Sequence, residues 1–169
     1  MRRVGDLYEL ALSLDLTAAV TDDELAELRW HLGQGPLPGR LPIGSDQYAV
    51  TYPLGDPDDP ACEWITDDPE PLFARRGPAW QVGGALVAEL VRREPAGWAL
   101  TVRHTVHPDQ FYWVRTLLGW LGRHSAGPGP FVGYLRFGES TRIDPLLVED
   151  GRIRMPADVV AHTPYWQGD

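Results

Sequence analysis

Two histidines, His104 and His107, are the residues of this sequence whose type and spacing most directly suggest chemistry. Histidine titrates close to neutral pH, so it can act as a general base or ligate a metal ion. The pair belongs to the alternating segment WALTVRHTVH, and residues three apart on a strand point to opposite faces. One ion therefore cannot bind both, and we predict no metal site. His104 falls on the apolar face, where it is either our candidate catalytic base or a core histidine bonded to a backbone carbonyl.

The rest of the chain carries no recognisable catalytic arrangement. The single cysteine, Cys62, has no histidine near it in sequence, and Ser125 lies in a Gly/Pro loop without a nucleophile-elbow pattern. We find no glycine motif of the kind that binds phosphate. We therefore predict no cofactor and favour a non-enzymatic protein, while an enzyme whose catalytic partners are distant along the chain stays open.

A second group of chemically active residues is the run of carboxylates between residues 56 and 70. Its first part, Asp56-Pro57-Asp58-Asp59, lacks the alternating ligands and the closing glutamate of an EF-hand, so it predicts a solvated turn and not a calcium site. Clustered carboxylates attract basic surfaces. We therefore predict an acidic surface that suits a basic partner protein. Its candidate binding residues are Asp58, Asp59, Asp67 and Asp68.

Further candidate binding residues lie on the sheet face that we expect to point away from the helices. Strand alternation places polar residues on this face among small apolar ones. Such a mixture suits solvent, a protein partner or a second copy of the sheet, so a homodimer is also compatible with the pattern. The candidates on this face are Arg103, His107, Tyr134 and Arg136.

Composition narrows the classes of partner. The formal net charge of -9 and the pI near 4.9 argue against nucleic acid, because that binding depends on cationic side chains. With one cysteine, no intrachain disulfide can form, and we expect a cytoplasmic protein. No segment has the length and apolar character of a membrane span. All fifteen basic residues are arginine, and neither lysine nor asparagine occurs, which indicates a GC-rich bacterial genome.

Hydrophobic periodicity predicts an α+β fold. The first helix opens on the capping box Thr21-Asp22-Asp23-Glu24, and Asp109 is the expected N-cap of the second. The predicted strands are 8–16, 80–90, 98–106 and 131–137. Strand, helix, strand, strand, helix, strand is the ferredoxin-like βαββαβ arrangement, in which two helices cover one face of an antiparallel sheet.

The chain is long enough for one core, and we predict a single domain over residues 1–169. Proline and glycine interrupt residues 34–79, which we interpret as an elaborated acidic loop with one short strand over 47–52. Asp150-Gly151 predicts a C-terminal β-hairpin. We expect the tail, 156–169, to pack on the body through Tyr165-Trp166.

Two functional hypotheses follow from these observations. The first is a cytosolic, non-enzymatic binding or accessory protein that uses the acidic loop and the open sheet face. An immunity-like protein, which neutralises a basic partner, is one form of this hypothesis. The second is a small-molecule-binding or catalytic α+β domain with a pocket between the sheet and the second helix, around His104.

Overall fold

The protein is represented by a computed structural model, which describes residues 7–44 and 51–156. It is a mixed α+β structure with two α-helices and nine strands in the described residues. The helices are α1 (Asp22–His31) and α2 (Phe111–His124). The strands are β1 (Tyr8–Leu16), β2 (Thr51–Leu54), β3 (Glu63–Thr66), β4 (Gly77–Pro78), β5 (Ala85–Arg92), β6 (Trp98–Val106), β7 (Phe131–Phe137), β8 (Asp144–Glu149) and β9 (Arg152–Ile153).

Seven of these strands form one antiparallel sheet, in the order β4-β5-β6-β1-β7-β8-β9. Strand β1 lies at its centre, between β6 and β7. Strands β2 and β3 form a separate two-stranded sheet. In the described residues, the two pairings of this sheet that join strands far apart in sequence, β1 with β6 and β1 with β7, both involve β1. This strand therefore organises the large sheet.

The core lies between one face of the large sheet and the two helices. Alternation along β1 buries its four leucines on this face, together with apolar residues of α1 and α2. The predicted inward faces of β1 and β6 are thus found in the structure, and both helices contribute to the same core. In β7 the irregular pairing at Phe131 and Gly133 buries Val132, which alternation had placed on the open face. Within the described residues, neither helix is long and apolar enough to cross a membrane.

Helix α1 begins at the predicted capping box. The Thr21 hydroxyl accepts a hydrogen bond from the Glu24 amide, and the Glu24 carboxylate accepts from the Thr21 amide at 2.9 Å. The same carboxylate also accepts from Trp120 Nε1 of α2 at 2.8 Å. The cap therefore ties the two helices together as well as starting the first.

The ferredoxin-like βαββαβ topology is not matched, because the sheet has seven strands. The chain that we interpreted as one long loop, 34–79, supplies the separate β2–β3 sheet and the edge strand β4, and the C-terminal hairpin extends the opposite edge. Proline and glycine limit β2 and β3 to four residues and β4 to two. Strands this short are not long enough for an alternating pattern to be recognised in the sequence. Of the predicted short strand over 47–52, residues 47–50 lie outside the described residues, as does most of the tail.

Two element boundaries also differ from the sequence prediction. Strand β5 begins at Ala85 and not at Trp80, because Gln81 and Gly84 have positive φ angles that an extended strand does not accept. Helix α2 begins at Phe111, after a 3-10 turn capped by His107 in place of Asp109. The hairpin turn at 150–151 is confirmed, with positive φ at both residues.

Candidate functional site: the acidic arm and the open sheet face

Residues 51–70, which we call the acidic arm, contain the hairpin β2–β3 and the carboxylates that follow it. Within the part of the chain that the structure describes, its two strands pair with each other and with no strand of the large sheet. Local bonds shape it: the Thr51 and Thr66 hydroxyls are 2.8 Å apart across the hairpin, and the turn is closed by side chains of Asp56 and Asp59 that accept from nearby amides. The arm is therefore a small β-structure set apart from the main sheet.

All carboxylates of the arm are exposed, and none lies within ion-pair distance of an arginine in the described part of the chain. One of them accepts a long hydrogen bond, 3.4 Å, from the Tyr52 hydroxyl to Asp67. The arm thus keeps its negative charge available to a partner. Its acidic residues are Asp56, Asp58, Asp59, Glu63, Asp67, Asp68 and Glu70.

Large apolar side chains are exposed on the same arm. Trp64 is 56 % exposed, Leu54 is 60 % exposed and Tyr52 is 39 % exposed. An isolated two-stranded hairpin is only marginally stable in water. Side chains that stay exposed to solvent add little to its stability, so they are available for contact with a partner. Exposed aromatic residues ringed by charge are typical of protein interfaces.

The second candidate surface is the sheet face opposite the helices, where the structure brings together three of the four predicted residues. Glu9 of β1 is 5 % exposed and lies between two arginines that are each 28 % exposed. Its carboxylate accepts from Arg103 Nε at 2.9 Å and from Arg136 Nη2 at 2.6 Å. The Tyr134 hydroxyl donates to the same carboxylate at 3.3 Å. We call these four residues the Glu9 cluster.

The electrostatics of the Glu9 cluster favour the charged form of its carboxylate. Burial alone raises the pKa of Glu9, but the hydrogen bonds and positive charges of Arg136 and Arg103 outweigh burial and lower it. Arg103 also forms hydrogen bonds outside the cluster, because it donates to the carbonyls of Gly83 and Ala85. Much of the bonding capacity of this cluster is thus used internally, and a binding role for its arginines and tyrosine stays a prediction.

The other end of the same sheet face is open. A groove of about 550 Å³ runs there between β1, β6 and the loop before β7, with Phe131 62 % exposed at its side. Asp15 and Arg93 line it and are 2.9 Å apart as an ion pair. Association of two copies through this face or through α2 stays a prediction.

His104 is buried on the helix-facing side of β6, as its parity predicts. Its side chain is 2 % exposed, lies against the Phe73 ring, and bonds through Nδ1 to the carbonyl oxygen of Thr105 at 3.0 Å. Burial lowers the pKa of His104, and the positive charges of Arg75 and Arg76 lower it further. The hydrogen bond to the Thr105 carbonyl raises the pKa, but it does not outweigh burial. The lowered pKa favours the neutral form of His104, and its catalytic role stays a prediction.

His107 has a local role. It follows β6 and caps the 3-10 turn: its Nδ1 accepts from the Asp109 amide at 3.2 Å. His107 thus lies one residue beyond the end of β6, whereas His104 lies within that strand. Among the described residues, no group of three or more His, Cys, Asp or Glu side chains is arranged to hold a metal ion.

A buried acid–base pair on α1 was not among the predicted site residues. Glu27 and His31 are both fully buried, 3.6 Å apart between Oε1 and Nε2. The Glu27 carboxylate accepts from the amides of Ile43 and Gly44, while His31 Nδ1 accepts from the Leu72 amide. Their spacing of four residues was the available signal. The pair fastens two parts of the 34–79 segment to the helix.

The chain matches no protein-family model, and no curated protein or solved structure is similar to it at a significant level.

Proposed function

We propose that this protein is a non-enzymatic binding protein that presents its acidic arm to a basic surface of a partner protein. The carrying observation is the arm itself: seven exposed carboxylates without an arginine partner among the described residues, around three exposed large apolar side chains. Negative charge would steer the encounter, and the apolar side chains would supply contact area.

A basic partner suits this arm better than an acidic or neutral one. Asp67, Asp68 and Glu70 follow directly on the hairpin whose turn carries Asp56, Asp58 and Asp59, so negative charge lies at both ends of β3. The net charge of -9 extends the same attraction beyond the arm. Neutralisation of a basic partner in the cytoplasm is the finer form of this proposal, with the single cysteine in favour of a reducing compartment.

The test compares capture of partners from a lysate of the native host by three forms of the protein. The first is the natural chain, and the second carries Asp58→Arg, Asp59→Arg, Asp67→Arg and Asp68→Arg. The third is a control with the same change of charge at exposed positions off the arm, namely Asp22→Arg, Glu89→Arg, Glu94→Arg and Glu139→Arg.

We expect the natural chain and the control to retain one basic polypeptide that the arm variant loses, and we expect added salt to weaken that capture. Trp64→Ala should also weaken it, because the indole is half exposed on the arm. Equal capture of the polypeptide by the arm variant and the natural chain would contradict the proposal, as would a captured partner that is acidic.

A further inference from the structure

Helix α2 and strand β9 enclose a groove of about 360 Å³ whose lining is rich in arginine. Arg115 projects into it from the helix, and Arg152 and Arg154 line it from the strand side. Ile153 and Met155 also line it, but both are almost wholly buried, at 3 % and 7 % exposed. The groove is distant in sequence from the acidic arm and uses charge of the opposite sign.

Glycine keeps this groove open. At Gly122 a Cβ atom would lie 2.6 Å from the backbone nitrogen of Ile153, so only glycine lets β9 pack directly on the helix. One turn earlier, a Cβ at Gly119 would have open space around it and would meet only Arg123 Nη1, at 4.0 Å. The missing side chain at Gly119 therefore leaves room in the groove, and the Arg123 guanidinium lies close to that space.

The arginines of this groove, unlike five others in the described residues, form no ion pair with a carboxylate there. Five described arginines lie within 4.0 Å of a carboxylate oxygen: Arg40, Arg93, Arg103, Arg136 and Arg142. Among the described residues, no carboxylate lies that close to Arg115, Arg123, Arg152 or Arg154. Even Glu149, which is opposite Arg152 in the β8–β9 register, forms no ion pair with it.

We propose that this groove binds a compact phosphate ester, with the phosphate between the guanidinium groups and the organic part in the open space beside Gly119. Guanidinium groups match phosphate oxygens in pairs and stay charged at any physiological pH. A volume of about 360 Å³ is at the small end of ligand pockets, so a single small molecule fits it. A bound dianion would also relieve the mutual repulsion of the arginines.

A longer polyanion suits the groove less well. The neighbouring cavity shares Arg154 and Met155 with it but is also lined by Asp144 and Glu149. An acidic peptide or a nucleic-acid strand that ran out of the groove on this side would meet these carboxylates. The overall charge of -9 repels such chains further, whereas a compact ligand stays within the arginines.

Calorimetric titration of the full chain with phenyl phosphate tests this site, with benzoate as a probe of the same ring and a weaker anion. We expect phenyl phosphate to bind and benzoate to bind at least about tenfold more weakly. The variant Arg115→Gln/Arg152→Gln should lose about tenfold or more in affinity for phenyl phosphate, because two charge-assisted contacts are removed.

Two matched controls separate the groove from general charge. Arg40→Gln/Arg92→Gln makes the same change of charge elsewhere and should change the affinity by less than about twofold. Gly119→Leu should fill the groove and abolish binding, while Gly119→Ala should keep it, with circular dichroism and the thermal midpoint confirming that each variant is folded.

Three results would overturn the proposal. The natural chain could fail to bind phenyl phosphate, or the Arg40/Arg92 control could lose as much affinity as the groove variant. Tighter binding of an oligoglutamate peptide or an oligonucleotide than of phenyl phosphate would assign the groove to another class of ligand. None of these results bears on the acidic arm, whose residues are unchanged in every variant.

Discussion

Carboxylates occur in two very different settings in this molecule, the body and the acidic arm. On the body, Glu9 and Glu27 are buried and accept hydrogen bonds from arginines or backbone amides. On the arm, seven carboxylates are exposed and have no arginine partner in the described residues. Residues of one chemical type therefore stabilise the fold in one region and leave charge free for recognition in the other.

The largest expected effect is on the body, at Glu9. Glu9→Gln leaves two partly buried arginines without their counter-charge, and we expect it to lower the free energy of unfolding by about 3 kcal/mol. Denaturant unfolding measures this loss. A loss below about 1 kcal/mol would show that Arg103 and Arg136 find other partners without penalty. Replacing Glu9, Arg103 and Arg136 together by apolar residues should cost less than Glu9→Gln, since no charge is then left unpaired.

A smaller loss is expected at Glu27. Glu27→Gln replaces one of the two oxygens that accept from Ile43 and Gly44 by an amide group that cannot accept, at a cost of about 2 kcal/mol. Hydrogen exchange should become faster at these two amides before it does so in β1. Unchanged protection of the Ile43 and Gly44 amides would mean that the carboxylate does not hold this segment.

The pH dependence of stability should also come from the body. Because burial lowers the pKa of His31 and His104, the unfolded chain binds protons that the folded chain does not. The free energy of unfolding should therefore fall as pH drops below about 6.5, by at most about 1.4 kcal/mol per pH unit for each histidine. Denaturant unfolding between about pH 8 and about pH 5 measures this slope.

A second decrease in the free energy of unfolding is expected at lower pH from Glu9, whose pKa is lowered in the folded protein. Its contribution to stability is present above the ordinary glutamate pKa, about 4.3, and is lost as pH falls below it. His104→Gln should reduce the slope near neutral pH and leave the acid decline, while Glu9→Gln should do the reverse. A slope unaltered by either variant would assign the dependence to other groups.

The smallest effect is expected on the arm. Asp58→Asn, Asp59→Asn, Asp67→Asn and Asp68→Asn together should change the free energy of unfolding by no more than about 0.5 kcal/mol. The four carboxylates are exposed and form no ion pair in the described residues, and an asparagine oxygen can still accept the hydrogen bonds made at Asp59 and Asp67. Denaturant unfolding of this variant and of Glu9→Gln under the same conditions compares the contribution of the arm with that of the body. A loss above about 1 kcal/mol would mean that the arm charges also support the fold.

The candidate sites were only partly predictable. Alternation placed Arg103, Tyr134 and Arg136 on one sheet face, but their meeting around Glu9 depends on the strand order β6-β1-β7. Glu9 and its two arginine partners are 94 and 127 positions apart along the chain. No local pattern carries that information. The acidity of the arm was visible in the sequence, whereas its hairpin was hidden by Pro53 and by strands of only four residues.

By itself, the sequence determined the features that arise from neighbours along the chain: the capping box at Thr21, the turn at Asp150-Gly151 and the inward sides of β1 and β6. Each depends on hydrogen bonds or alternation within a few residues. Only the tertiary structure decided which carboxylates are buried and which arginines stay unpaired. Burial and pairing depend on what the remaining chain places beside a residue, and that is set by long-range packing.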